Sequence, residues 1–164
     1  MAGCEGQWLG SLVGERVTGA WGVWIGEEGE WFADLPALLA IGGRQVAVCV
    51  NRLDLLSATP AAIDTGTAPT WWNDWSLTWR SDAHPVLDEV VGRTVTAVGV
   101  TEWSPGLAGA GGGQHPPAWM LTGFALELGD TALWVYNAAD ENGLQLGWPP
   151  KEEHYRTSWF SNPL

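Results

Sequence analysis

The chain has 164 residues, 46% hydrophobic and only 16% charged, which excludes a disordered, charge-rich polypeptide and suits one domain or two small units sharing a core. Nineteen acids against seven bases give a net charge of −12. That charge repels a nucleic-acid duplex or an anionic membrane surface and leaves two readings, solubility through self-repulsion or steering toward a basic protein.

In chain order, Met1 to Gly6 carry Glu5 rather than a basic stretch, so no secretory leader is expected and the cytoplasm is the expected compartment. No apolar run reaches the ~18 residues of a membrane span, so no membrane partner is expected. Arg16 to Trp24 is rich in β-branched and aromatic residues and predicts a strand. Trp24, Glu27, Glu28, Glu30 and Trp31 then form a cluster of indoles and carboxylates. Leu35 to Ile41 and Gln45 to Val50 read as a hairpin about Gly42-Gly43, where glycine permits positive φ. Asp54 to Ala58 predicts a turn or two of helix. Trp71, Trp72 and Trp75 surround Asn73 and Asp74 as a second aromatic–acid cluster, and Ser76 to Trp79 predicts a short strand.

In the second half, Pro85 to Val91 predicts a short helix with Pro at its first position and Gly92 as its stop. Thr94 to Thr101 predicts a strand. Ser104 to Pro117 reads as a Gly/Pro-rich insertion; its glycines lack the Lys-Ser/Thr ending of a phosphate loop. Trp119 to Leu128 and Thr131 to Tyr136 form another hairpin about Gly129-Asp130, and Lys151 to Ser158 predicts a turn or two of helix. Among the 13 tryptophans, Trp21, Trp79, Trp119 and Trp134 lie in apolar segments and are core candidates.

The two halves repeat one another. Leu12 to Ala20 resembles Val90 to Val98, with Val13 and Val91, and Thr18 and Thr96, each 78 apart. Ile41 to Asp54 resembles Leu128 to Asp140 when one residue is gapped at the turn, which pairs Asn51 with Asn137 and Asp54 with Asp140 at an offset of 86. The expected fold is mainly β (a β-rich α+β class): two tandem β-meander units, 1–80 and 81–164, packed as a pseudo-two-fold pair with short connecting helices.

No catalytic signature emerges. His84, His115 and His154 lack metalloprotease spacing, and there is no Gly-x-Ser-x-Gly elbow. Cys4 and Cys49 are too few for a disulfide framework. No catalytic residue, no metal and no cofactor is expected. The repeated Asn/Asp pairs admit two readings: Asx-turns or caps at strand exits, or polar groups at a site. In the second reading Asn137, Asp140, Glu141 and Asn142 are the ligand-binding candidates. For the aromatic–acid clusters the choice is between loops folded over the core and a recognition surface. In that surface Trp24, Trp31, Trp71 and Trp72 would fill pockets while Glu27, Glu28, Glu30 and Asp74 meet a basic rim.

The pattern Val91-Gly92-x-x-Val95-Thr96-Ala97, a glycine-turn hairpin, and Val135 to Leu144 resembles small uncharacterised bacterial proteins of high-GC genomes, some of which resemble immunity proteins of toxin systems. The resemblance covers mainly the second half. It implies a cytoplasmic inhibitor and carries no catalytic residues. The expected function is a non-enzymatic protein-binding module, of immunity type, that occludes the basic active site of a toxin. The alternative is a small-molecule or carbohydrate-binding protein, or a hydrolase, using Trp faces with Asp140, Glu141 and Asn142.

Overall fold

A computed structural model describes residues 5–52, 55–105 and 118–161. The chain is mainly β, 49% strand and 7% helix. The first half runs α1 (Glu5–Gly10), β1 (Val17–Ile25), β2 (Glu30–Trp31), β3 (Ala37–Ile41), β4 (Arg44–Arg52), β5 (Leu55–Ala61) and β6 (Leu77–Arg80). The second runs α2 (Pro85–Val90), β7 (Ala97–Trp103), β8 (Met120–Glu127), β9 (Ala132–Asn137), β10 (Asn142–Leu146) and β11 (Tyr155–Phe160). The sequence expectation of helix at Asp54 to Ala58 fails over its described part, from Leu55, and that at Lys151 to Ser158 fails as well. Leu55 onward and Tyr155 onward instead pair as strands against β4 and β7. Local helical propensity in so short a stretch yields to an open strand edge that needs a partner.

All pairings within the two sheets are antiparallel. In the first, β1-β3-β4-β5 run side by side, with β6 and the short β2 also on β1; in the second the order is β11-β7-β8-β9-β10. The topologies therefore correspond: β6 lies on β1 as β11 lies on β7, and β3-β4-β5 continue as β8-β9-β10 do.

The sheets meet at a short seam that obeys the repeat. Arg16 and Thr94, which are 78 apart, form an antiparallel bridge. Around it the Gly14 amide donates to the Val95 carbonyl at 2.8 Å, and the Gly92 amide to the Val17 carbonyl at 2.8 Å. The Val17 amide donates to Arg93 and the Val95 amide to Glu15, each at 2.9 Å. Each bond maps onto its partner when the halves are exchanged, so the pseudo-two-fold axis passes through the bridge. Gly14 and Gly92, at φ of 88° and 86°, turn the chain into the seam from either side, a left-handed conformation that glycine adopts without steric cost.

The hairpins correct the sequence alignment. Gly42-Gly43 between Ile41 and Arg44, and Gly129-Asp130 between Leu128 and Thr131, are turns of the same length. No residue is gapped, and the offset beyond the turn is 87. Val46 thus matches Leu133 and Val48 matches Val135, all four fully buried on inner faces. A slip of one residue would have sent these side chains to the opposite face. Asn137 answers to Val50 rather than to Asn51, and Asp54 lies outside the described residues.

The inner faces of both sheets build one core. Ala20, Leu39, Ile41, Val46, Val48 and Val50 meet Val98, Phe124, Leu126, Leu133 and Val135. Leu9 and Leu12 close one end, and their counterparts Leu87 and Val90 the other. Asn142, 1% exposed, bonds the units together. Its side-chain oxygen accepts from the Val50 amide at 2.7 Å, and its nitrogen donates to the Ala33 and Leu35 carbonyls at 2.7 and 2.8 Å.

Trp8, Trp24 and Trp31 pack against this inner core, while other aromatic rings lie on the outer faces. On sheet one, Val23, Ile25, Phe32 and Leu77 form a smaller cluster under Leu35, Trp71 and Trp79. On sheet two, the paired positions of β7 to β11 carry Trp103, Trp134, Tyr136, Tyr155 and Trp159. Of the four core candidates only Trp134 is buried; Trp21, Trp79 and Trp119 are half-buried. On sheet two an aromatic ring lies close over the neighbouring strand where that strand offers glycine: a Cβ at Gly123 would collide with the Trp134 indole nitrogen, and one at Gly143 with the Tyr136 ring.

Candidate functional site

The two aromatic–acid clusters lie almost fifty residues apart in sequence and converge at one end of sheet one. Phe32, just after β2, is the meeting point. Trp71 and Trp75 set their rings edge-on to it at centroid distances of 5.2 and 5.5 Å. Each such aromatic pair contributes about 0.5–1.5 kcal/mol beyond its buried area. The Glu27 carboxylate accepts from the Ser76 amide at 3.0 Å through both oxygens, which fastens the second cluster to the first; hydrogen bonding from the Ser76 side chain, with the Glu27 and Ser76 amides, holds its pKa below the usual range.

The individual residues fall into two groups. Trp24 is half-buried; it stands opposite Trp31 across β1 and β2, and the Arg80 guanidinium lies 4.4 Å over its ring. Trp31 packs on the core and edge-on to His84 at 4.9 Å, and Trp71 is committed to Phe32. These three indoles are structural supports. Trp72 is 83% exposed, and Glu28, Glu30 and Asp74 are exposed as well. A hydrogen bond that the protonated Glu28 carboxyl donates to Glu30, followed by desolvation and the like charges of Glu30 and Glu27, raises the pKa of Glu28. The result is an open indole on the segment fastened beside two carboxyls that crowd one another.

The second set of candidates divides differently. Asn137 closes the β9–β10 turn, its side-chain oxygen accepting from the Asp140 amide at 2.9 Å. Ala139 and Asp140 have positive φ, 61° and 78°, a conformation that asparagine and glycine fill more readily than alanine. Asp140 and Glu141 are exposed on this turn. Asn142 faces inward and its side chain is spent on the backbone of the first unit, so these four do not converge as a ligand cluster. Among the described residues, no group of three or more His, Cys, Asp or Glu side chains is arranged to hold a metal. Cys49 is 9% exposed, and burial pushes its thiol pKa up, as expected of a packed side chain rather than a nucleophile.

Sequence reasoning missed Phe32, Trp75 as a packing partner, and Ser76. The signal was the neighbourhood of Trp75 and Ser76 to Asp74, but nothing in linear spacing shows that Glu27 reaches the Ser76 amide. It also missed an aromatic pocket of about 360 Å³ on the outer face of sheet two, lined by Trp103, Met120, Thr122, Trp134, Tyr136, Asn137, Ala139 and Tyr155. Among the described residues, no helix is long and apolar enough to cross a membrane.

Compared with protein-family models, curated proteins and solved structures, the chain matches none of them significantly.

Proposed function

We propose that this chain is a non-enzymatic protein-binding module whose docking surface is the acid-and-indole end of sheet one. One observation carries the reading. The two sequence-distant clusters are fastened together by Phe32 and by the Glu27–Ser76 contact, leaving Trp72 exposed on one segment and the Glu28–Glu30 pair on the other. Tryptophan is among the residues most enriched at binding hot spots, and Trp72 is open to serve as one. Two carboxyls in mutual contact gain most from an incoming cation, which removes their repulsion. With a net charge of −12, the whole molecule steers a basic partner toward this end.

The partner class is a basic protein. An immunity-type inhibitor that occludes the basic active site of a toxin, acting in the cytoplasm, is the specific form that the sequence resemblance suggests. Occlusion requires no chemistry from this chain: acids accelerate the encounter, and the Trp72 anchor slows release.

The test begins with co-purification of a stoichiometric partner from the native host, followed by association kinetics on the purified pair. The on-rate should fall steeply with salt, Glu28→Gln with Glu30→Gln should slow association, and Trp72→Ala should speed dissociation by about tenfold or more. An on-rate indifferent to salt together with an unaltered off-rate in Trp72→Ala rejects the reading.

A further inference from the structure

We infer that the outer pocket of sheet two is a binding site for a small, neutral molecule built on one aromatic ring. The internal repeat carries the argument, because the first unit displays the same place already filled.

In sheet one the pair Ile25–Leu77 joins β1 to β6; in sheet two the pair Trp103–Tyr155 joins β7 to β11. Both members are 78 apart across the halves, so the two pairs occupy corresponding positions on the outer faces. On the other side of β1, Glu30 stands against Ile25 and Trp31 against Trp24; on the other side of β7, Met120 stands against Trp103 and Leu121 against Glu102. The residue that follows is Phe32 in the first unit and Thr122 in the second. The Phe32 amide donates to the Val23 carbonyl at 2.7 Å, and the Thr122 hydroxyl donates to the carbonyl of Thr101, the counterpart of Val23, at 3.3 Å.

A ring in one unit is thus replaced by a small side chain in the other. Over Ile25 and Leu77 the space is taken by Phe32, with Trp71 edge-on to it. Over Trp103 and Tyr155 it is the 360 Å³ pocket, within the range of about 300–1,000 Å³ typical of small-molecule sites. The supporting walls are fixed. Tyr136 stacks on Trp134 at 4.3 Å and 25°, and both lie over glycines. Ala139 at the rim is held at positive φ in a turn tied by Asn137.

The lining selects the ligand. None of its eight residues is charged, which disfavours an ion, since a charge would be desolvated without a counter-charge. Indole and phenol faces and edges, with Met120, receive an aromatic ring edge-on, as Phe32 meets its neighbours in the first unit, or stacked, as Tyr136 meets Trp134. The tyrosine hydroxyls among these wall residues offer hydrogen bonds to a hydroxyl or amide on that ring.

The experiment uses the full chain with p-cresol as probe and maltose as a neutral, non-aromatic competitor class. Titration is followed by calorimetry and by the indole ¹H–¹⁵N resonances. p-Cresol should bind with one-to-one stoichiometry and shift the indole signals of Trp103 and Trp134, leaving that of Trp72 in place. Thr122→Phe, which restores the plug of the first unit, should weaken binding by about tenfold or more, with the fold checked by its unchanged remaining indole spectrum. Trp103→Leu is a second variant that should also lose the probe if Thr122→Phe folds poorly. Absence of p-cresol binding, shifts away from Trp103 and Trp134, or maltose binding in preference to p-cresol overturns the inference. Failure here leaves the Trp72 surface untouched, since Thr122→Phe lies on the other sheet.

Discussion

His84 shows how a single side chain can couple local structure to pH. It stands at the N-cap of α2, where its Nδ1 accepts from the Val86 amide at 3.3 Å, and its ring packs on Trp31. Acceptance requires the neutral imidazole, and burial lowers its pKa below 6.5. A base with a depressed folded-state pKa binds protons more readily when unfolded. Its stabilising contribution is therefore complete above pH 6.5 and is lost as pH falls from there through the folded-state value. Urea unfolding between pH 7.5 and 5 should show this decline, and His84→Asn, which keeps a capping acceptor without titrating, should flatten it. Sequence alone marked His84 only as lacking a metal partner. Its cap was readable in principle, because Pro85 at the first helical position was recognised, but the Trp31 contact joins residues over fifty apart and has no local signature.

At the scale of elements, the duplicated motif was the most legible part of the sequence. Val13-Gly14 and Val91-Gly92 look alike because they do the same work at the seam. Nothing crowds a Cβ at either glycine, so substitution there tests backbone conformation alone. Gly14→Ala and Gly92→Ala should each cost about 1–2 kcal/mol in denaturant melts, with similar values at the two sites. A loss at one glycine only would mean the seam is not energetically symmetric. The hairpins were found from their glycine turns, while their exact register was not. Asn51 and Asn137 attracted the alignment by identity, whereas burial requires Val46 to match Leu133. Strands β5, β10 and β11 escaped notice or were read as helix because their partners, not their own residues, define them. The pocket was invisible for a similar reason: Phe32 and Thr122 align only when the pairings of β1 and β7 are known.

The whole molecule depends on the two sheets covering one another. Neither inner face has an alternative cover among the described residues, and Asn142 of one half satisfies three backbone groups of the other. Residues 1–80 alone should therefore not fold cooperatively, whereas mixing separately prepared 1–80 and 81–164 should restore a cooperative thermal transition and native-like circular dichroism. A stable, monomeric, cooperatively folding 1–80 would show that the shared core is dispensable. Charge acts at the same scale. Arg80, Arg93 and Arg156 are already paired with Asp82, Asp130 and Glu102, so much of the small basic complement is locally neutralised and the acidic excess is left to act over distance.

The seam also has a temporal consequence. Its hydrogen bonds join residues near 16 to residues near 94, so they cannot form until the later half of the chain exists. At about 5–20 residues per second of synthesis, the leading meander waits roughly 4–17 s with its valine-rich side bare. Over that interval it is exposed to self-association, and slower translation past residue 81 should raise aggregation rather than fidelity.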